Sequence, residues 1–247
     1  MKIYLDEGYH YGIGAFETIL LIQQKPVFLE EHLDRIRKSL EYFKIDQEIE
    51  TEKILQFLEK QEPKERSVLK ISASPDNLFF SVRDYPYTAD QFKKGFSLWE
   101  SSVLRNETSP FTYHKTLNYG DNILEKRKAA ENNVDEPYFL NTKSMITEGA
   151  TTNLFFIKKG KLYTPGTESG LLNGILRQWI LKQYEVSEIN IPRGSIAGYD
   201  EIFATNSLIG IMPVYSINGI PLSSMDKSYK LHKEYELYLE SHYCRNE

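Results

Sequence analysis

Tyr138-Phe139-Leu140-Asn141-Thr142-Lys143-Ser144-Met145-Ile146-Thr147-Glu148-Gly149-Ala150-Thr151-Thr152-Asn153-Leu154-Phe155-Phe156 is an apolar run, a polar turn and a second apolar run. The pattern predicts strands on either side of a turn, with a Thr-Glu-Gly-Ala-Thr-Thr-Asn segment leading into the last strand. Glu148 therefore falls between apolar strands, where an unpaired carboxylate is strongly disfavoured. A cation is expected beside it. Taken alone, Glu148-Gly149 reads as a solvated loop acid next to a turn glycine. Two other stretches favour a functional reading: Tyr113-His114-Lys115-Thr116-Leu117-Asn118-Tyr119-Gly120 upstream, and Leu172-Asn173-Gly174-Ile175-Leu176-Arg177 downstream.

Working outward, the 247 residues suffice for one large domain or two modest ones. An apolar share of 40% and a charged share of 26% place the chain among ordinary globular proteins. The net charge of -5 gives no reason to expect nucleic acid or an anionic membrane as partner. Cys244 is the single cysteine, so no internal disulfide can form, and a cytoplasmic setting is expected. The start, Met1 to Asp6, has neither the apolar run nor the cleavage site of a signal peptide. No stretch approaches transmembrane length.

From the N-terminus, Lys2 to Leu5 reads as a short strand and Glu7 to Gly14 as a glycine-punctuated loop. Ala15 to Ile22 is a strand, paired back by Pro26 to Leu29. Leu33, Ile36, Leu40 and Phe43 give helical spacing within residues 30–43, and Glu52 to Gln61 forms a second amphipathic helix. Strands at Ser67 to Ala73 and Leu78 to Asp84 flank a Ser-Pro-Asp-Asn turn. This first part is an α+β unit. Phe96 to Leu104 is a further strand, and the polar run from Arg105 to Tyr113 marks the division. Residues 1–107 are expected as an N-terminal α+β domain and 108–247 as a larger C-terminal domain.

Several residues suggest chemistry when taken together. Lys115 stands among aromatic neighbours, and a nucleophilic lysine needs desolvation or a nearby cation to lower its pKa. Tyr119 is placed to contact it or an aromatic cofactor. Gly174 precedes a helix, so the N–H groups of Ile175 and Leu176 face outward at the positive end of a dipole, which suits phosphate. Asn206 and Ser207 form a second cluster of small polar groups. Arg35, on the first helix, offers a planar fork for the same anion. Singly, each has a plainer reading: a solvated lysine, a glycine N-cap, a turn, a surface arginine. As a set they supply a lysine for covalent attachment of an aldehyde, an acid for a pyridine nitrogen, and an arginine with a helix N-terminus for a phosphate. That is the requirement list of pyridoxal 5'-phosphate.

Over nearly its whole length the sequence resembles the class IV aminotransferase family, the fold type IV pyridoxal phosphate enzymes. Tyr11-Gly12-Ile13-Gly14-Ala15-Phe16-Glu17-Thr18 matches the family's opening motif, with Ile13 where Asp is usual. Glu31-His32-Leu33-Asp34-Arg35-Ile36 matches the helix whose arginine holds the phosphate. Lys115-Thr116-Leu117-Asn118-Tyr119 matches the segment of the cofactor lysine, and Thr147-Glu148-Gly149 with Asn153 matches the most specific signature. Leu172 to Arg177 matches the phosphate turn, with Leu176 where Thr is frequent.

The resemblance implies a small N-terminal α+β domain and a larger C-terminal cofactor-binding domain with a β-barrel-like core. It further implies pyridoxal phosphate held between them by Lys115, Glu148, Arg35, Tyr119, Gly174, Ile175, Leu176, Asn206 and Ser207, with Lys115 catalytic. A homodimer acting on a small-molecule substrate follows from the same likeness. Thr205-Asn206-Ser207-Leu208 resembles the branch of the family that releases 4-aminobenzoate and pyruvate from 4-amino-4-deoxychorismate, a step of folate biosynthesis. The alternative is an aminotransferase for D-amino or branched-chain amino acids. Family members acting on D-amino acids carry an Arg-x-His clamp where this chain has Ser74-Pro75-Asp76-Asn77, and a clamp tyrosine where it has Phe16. Intact Lys115, Glu148 and Arg35 argue against a ligand-binding protein without chemistry.

Overall fold

Residues 2–244 are described by a computed structural model, and they divide into two compact units. The first takes residues 2–86, then His114–Tyr119, then 239–244. It opens with α1 (Glu7–Tyr11), where a glycine loop was expected. Asp6 caps this helix by accepting from Tyr9 N–H, and Gly12 ends it in the left-handed region at φ 71°. Lys2 to Leu5, expected as a strand, pairs with none; Tyr4 instead exchanges hydrogen bonds with the Asn77 side chain.

The elements that follow are β1 (Ala15–Ile22), β2 (Lys25–Pro26), α2 (Leu29–Tyr42), α3 (Thr51–Leu58), β3 (Arg66–Ser74) and β4 (Asn77–Asp84). The strands form an antiparallel sheet in the order β2-β1-β3-β4. Leu33, Ile36 and Leu40 of α2 and Ile54 and Leu58 of α3 recur at helical spacing. They bury against Ile19, Leu21, Leu69 and Ile71 of the sheet.

The second unit holds 87–113 and 120–238. Its elements are α4 (Ala89–Lys94), β5 (Phe96–Arg105), α5 (Gly120–Glu131), β6 (Glu136–Asn141), β7 (Met145–Gly149), β8 (Asn153–Lys158) and β9 (Lys161–Pro165). Then come α6 (Ile175–Gln183), β10 (Val186–Ile189), β11 (Ile191–Pro192), β12 (Glu201–Asn206), β13 (Gly210–Ile217), β14 (Ile220–Pro221) and α7 (Asp226–Leu239). Strands β8, β12, β13, β5, β6 and β7 pair in succession, and β7 returns to β8, closing a six-stranded barrel. Full closure removes free strand edges. Leu140, Ile146, Leu154, Phe156, Ile202 and Val214 fill one apolar core of this unit. The closing seam is the pairing of Glu148 with Asn153.

Two assignments differ from the division expected at residue 107. Strand β5 pairs in parallel with β6 and β13, so it belongs to the second unit, which begins at Tyr87. The Lys115 segment belongs to the first. Phe16 N–H donates to Lys115 C=O at 2.8 Å and Leu117 N–H to Gly14 C=O at 3.0 Å, with Ala15 bridging Thr116. Both arrangements join residues far apart in sequence, which local patterns do not register. No described helix is long and apolar enough to cross a membrane.

Candidate active site

In the first unit the candidate residues gather around β1. Glu17 lies in the middle of that apolar strand and is fully buried. Its Oε1 accepts from Arg35 Nε at 2.7 Å, and its Oε2 accepts from Arg35 Nη2 at 2.7 Å and meets His32 Nδ1 at 2.6 Å. An ionised carboxylate only accepts, so Nδ1 carries the proton. Burial would raise the Glu17 carboxyl, but Arg35 and then His32 outweigh it and hold Glu17 well below the usual carboxylate range. Burial pushes the His32 imidazole down, against the pull of Glu17. Residues 32 and 35 lie one helical turn apart on α2, which puts both side chains on the same face toward β1.

Phe16, the neighbour of Glu17, faces the other way along the strand. Lys115 Nζ stands 4.5 Å from the Phe16 ring centre and 5.4 Å from that of Tyr119, whose ring meets Phe16 edge-on at 5.1 Å. Lys70 of β3 also approaches Phe16, at 4.8 Å. The structure thus brings Lys115 and Tyr119 together on Phe16. It joins Arg35 to Glu17 behind them on the strand.

In the second unit Glu148 is buried at the barrel seam. Its Oε2 accepts from Leu172 N–H at 3.0 Å, and its Oε1 lies 3.2 Å from Arg105 Nε. That contact is an ion pair in which Nε is not aligned to donate a hydrogen bond. Arg105 is further held by Asn122 Oδ1 at 3.2 Å and stacks 3.9 Å over the Phe139 ring. A cation thus stands beside Glu148 in the protein itself.

Gly174 is the N-cap of α6 and supplies no side-chain cap to it. A Cβ on Gly174 would sit 2.2 Å from Asn153 Oδ1, so any larger residue there would have to displace the Asn153 amide. Ile175 and Leu176 turn their side chains into the core. Arg177, almost wholly buried, donates to Asn173 Oδ1 and Pro165 C=O and pairs with Glu188, which fixes the turn. Asn206 Nδ2 donates to Thr151 C=O, while its Oδ1 accepts from the N–H groups of Leu208 and Ile209. Asn206 therefore organises a turn on which Ser207 sits half-buried.

Residues 14–217 match the family model for amino-transferase class IV. The chain belongs to the class IV aminotransferase family. Among relatives of this class IV chain is the aminodeoxychorismate lyase of Bacillus subtilis, 27% identical over 89% of this chain and 82% of that protein. The D-alanine aminotransferase of Listeria monocytogenes serotype 1/2a is also 27% identical, over 88% and 83%. A solved Legionella pneumophila structure, named as a candidate 4-amino-4-deoxychorismate lyase, superposes with a TM-score of 0.82 at 27% identity, covering 95% of each chain. Class IV members use pyridoxal phosphate.

The donor set here suits that group. A buried acid lies at the seam, a helix N-terminus lacks a side-chain cap, and glycine stands where a Cβ would intrude.

Sequence reading passed over Glu17 and His32 except as letters of motifs, and Arg105 except as the start of a polar run. Glu17 carried a signal, a lone acid inside Ala15-Phe16-Glu17-Thr18-Ile19-Leu20-Leu21-Ile22, which demands a buried cation. Arg105 carried none.

Proposed function

We propose that this class IV enzyme is a lyase that converts 4-amino-4-deoxychorismate to 4-aminobenzoate and pyruvate. The observation that carries the reading is the β3–β4 turn. Ser74 pairs with Asn77, leaving only Pro75 and Asp76 in the turn. Asp6 pins it, accepting at Oδ2 from Ser74 Oγ (2.6 Å), Asp76 N–H (2.9 Å) and Asn77 Nδ2 (2.8 Å). Such a turn offers neither an arginine nor a histidine to clamp an amino-acid carboxylate. Arg83, the other cation weighed for that task, is exposed on β4 and donates to Asp84 C=O. Lys70 beside Phe16 supplies an ammonium for a substrate carboxylate, which either reaction can use. The likeness to the Bacillus lyase supports the same reading.

When bound, pyridoxal phosphate supplies an electron sink for a carbanion at the amine-bearing carbon. In this reading Lys115 would hold the cofactor covalently through Nζ, and its amine would serve as the base for the proton on that carbon of the substrate. The electron pair left behind expels the enolpyruvyl oxygen from the adjacent carbon, and the ring becomes aromatic. The departing enol takes up a proton and becomes pyruvate. Glu148 would meet the ring nitrogen and favour its protonated form. Arg35 and the N–H groups of Ile175 and Leu176 would hold the phosphate, with Gly174, Asn206 and Ser207 as further contacts, and Tyr119 would contact the cofactor near Lys115.

Supplying 4-amino-4-deoxychorismate should yield 4-aminobenzoate and pyruvate in equal amounts, and borohydride should fix the cofactor to the peptide containing Lys115. The equal identity to a D-alanine aminotransferase supports the alternative, an aminotransferase, to the same degree. Rapid transfer of an amino group from D-alanine or leucine to 2-oxoglutarate, without 4-aminobenzoate, would establish it.

A further inference from the structure

Leu172 is gripped at both of its peptide groups. Its N–H donates to Glu148 Oε2 at 3.0 Å and its C=O accepts from Asn153 Nδ2 at 2.8 Å. Glu148 and Asn153 are cross-strand partners at the seam that closes the barrel. Two residues after Leu172 comes Gly174, whose Cα surface lies against Asn153 Oδ1. Helix α6 starts at the next residue. One amide side chain therefore holds the turn by a hydrogen bond from its nitrogen and sets the approach of Gly174 with its oxygen.

We propose that Glu148 and Asn153 act as a clamp on Leu172 that fixes where the α6 N-terminus stands relative to the Glu148 carboxylate. The inference rests on the assignment of pyridoxal phosphate above. It makes Asn153 a positioning residue for the phosphate and gives Glu148 a second task besides facing the ring nitrogen. The physical reason lies in range. A helix N-terminus acts on an anion within its first turn, and N–H···O bonds hold only over a narrow span of distances. A cofactor of fixed length needs its two protein partners at a fixed separation. Anchoring the phosphate turn to the seam residue that meets the ring nitrogen sets that separation within one unit.

The test compares pyridoxal phosphate with pyridoxal, which lacks the phosphate. The cofactor-free full-length chain is titrated with each, and the ratio of affinities measures what the phosphate contributes. Asn153→Ala should lower the affinity for pyridoxal phosphate about tenfold, the worth of one good hydrogen bond, and leave that for pyridoxal unchanged. Glu148→Gln should weaken both ligands and also lower the ratio, because Leu172 N–H loses a charged acceptor. Gly174→Ala, which drives a methyl group against Asn153 Oδ1, should lower the ratio as well. It decides the matter if melting of the cofactor-free chain shows Asn153→Ala unfolded. An unchanged ratio in folded Asn153→Ala, or in Gly174→Ala in that event, overturns the clamp while leaving the cofactor assignment intact. A wild-type chain that binds neither ligand overturns the assignment and the clamp with it.

Discussion

Each unit buries one carboxylate beside an arginine, and the two are finished differently. Glu17 has both oxygens taken by well-aligned side-chain donors, with Arg35 bidentate and His32 closing the set. Glu148 accepts at Oε2 from a backbone N–H, and its Oε1 lies in an ion pair with an arginine whose Nε is not aligned to donate. Bidentate arginine pairs are the strong, orienting kind. The first carboxylate thus behaves as a fixed brace that aims Arg35. The second is met by a backbone donor and an ion pair rather than by a bidentate fork.

The largest effect that would break this contrast is at the brace. Glu17→Gln should destabilise the protein by about 3–5 kcal/mol, since it leaves Arg35 without its counter-charge. Denaturant unfolding of the cofactor-free chain measures it, and a loss below about 1 kcal/mol would make Glu17 no brace at all. Next comes Glu148→Gln, expected to bind cofactor yet lose roughly a hundredfold in turnover, in the range of a misplaced proton partner. Near-normal turnover would remove Glu148 from the chemistry.

Arg105→Gln sharpens the comparison. It should cost about 2 kcal/mol in the cofactor-free chain, because Glu148 loses its cation. Under the proposed assignment the deficit should shrink on loading with cofactor, because a ring nitrogen at Glu148 would supply another. Equal deficits in both forms would show that Arg105 serves only packing.

The smallest effect concerns the turn that supports the lyase reading. Burial tends to raise the Asp6 carboxyl, but hydrogen bonds from Ser74, Asp76, Tyr9 and Asn77 prevail and bring it from 3.8 to about 2. A depressed carboxyl contributes stability that is present above its unfolded pKa and lost as protons bind the folded form. The contribution should therefore fade as pH drops from about 4 to about 2. Asp6→Asn should lose about 1 kcal/mol at neutral pH and flatten that segment of the pH profile. An identical profile in the variant would show that Asp6 does not hold the turn.

Local residue patterns were enough to assign the element types around the candidate site. Alternating and helical apolar spacing marked β1, α2, β3, β4 and the strands flanking Glu148, because such spacing reflects one buried face of a local element. The same sequence showed that Glu148 needs a cation, since the cost of a buried carboxylate does not depend on which group meets it. Tertiary structure alone decided that Arg105 is a cation meeting it, that the Lys115 segment adds to the edge of β1, and that β5 joins the barrel with β6 and β13. Each of these is a pairing between residues distant along the chain. Their partners are chosen by hydrogen bonding and closure in three dimensions, and neither leaves a periodic trace in the local sequence.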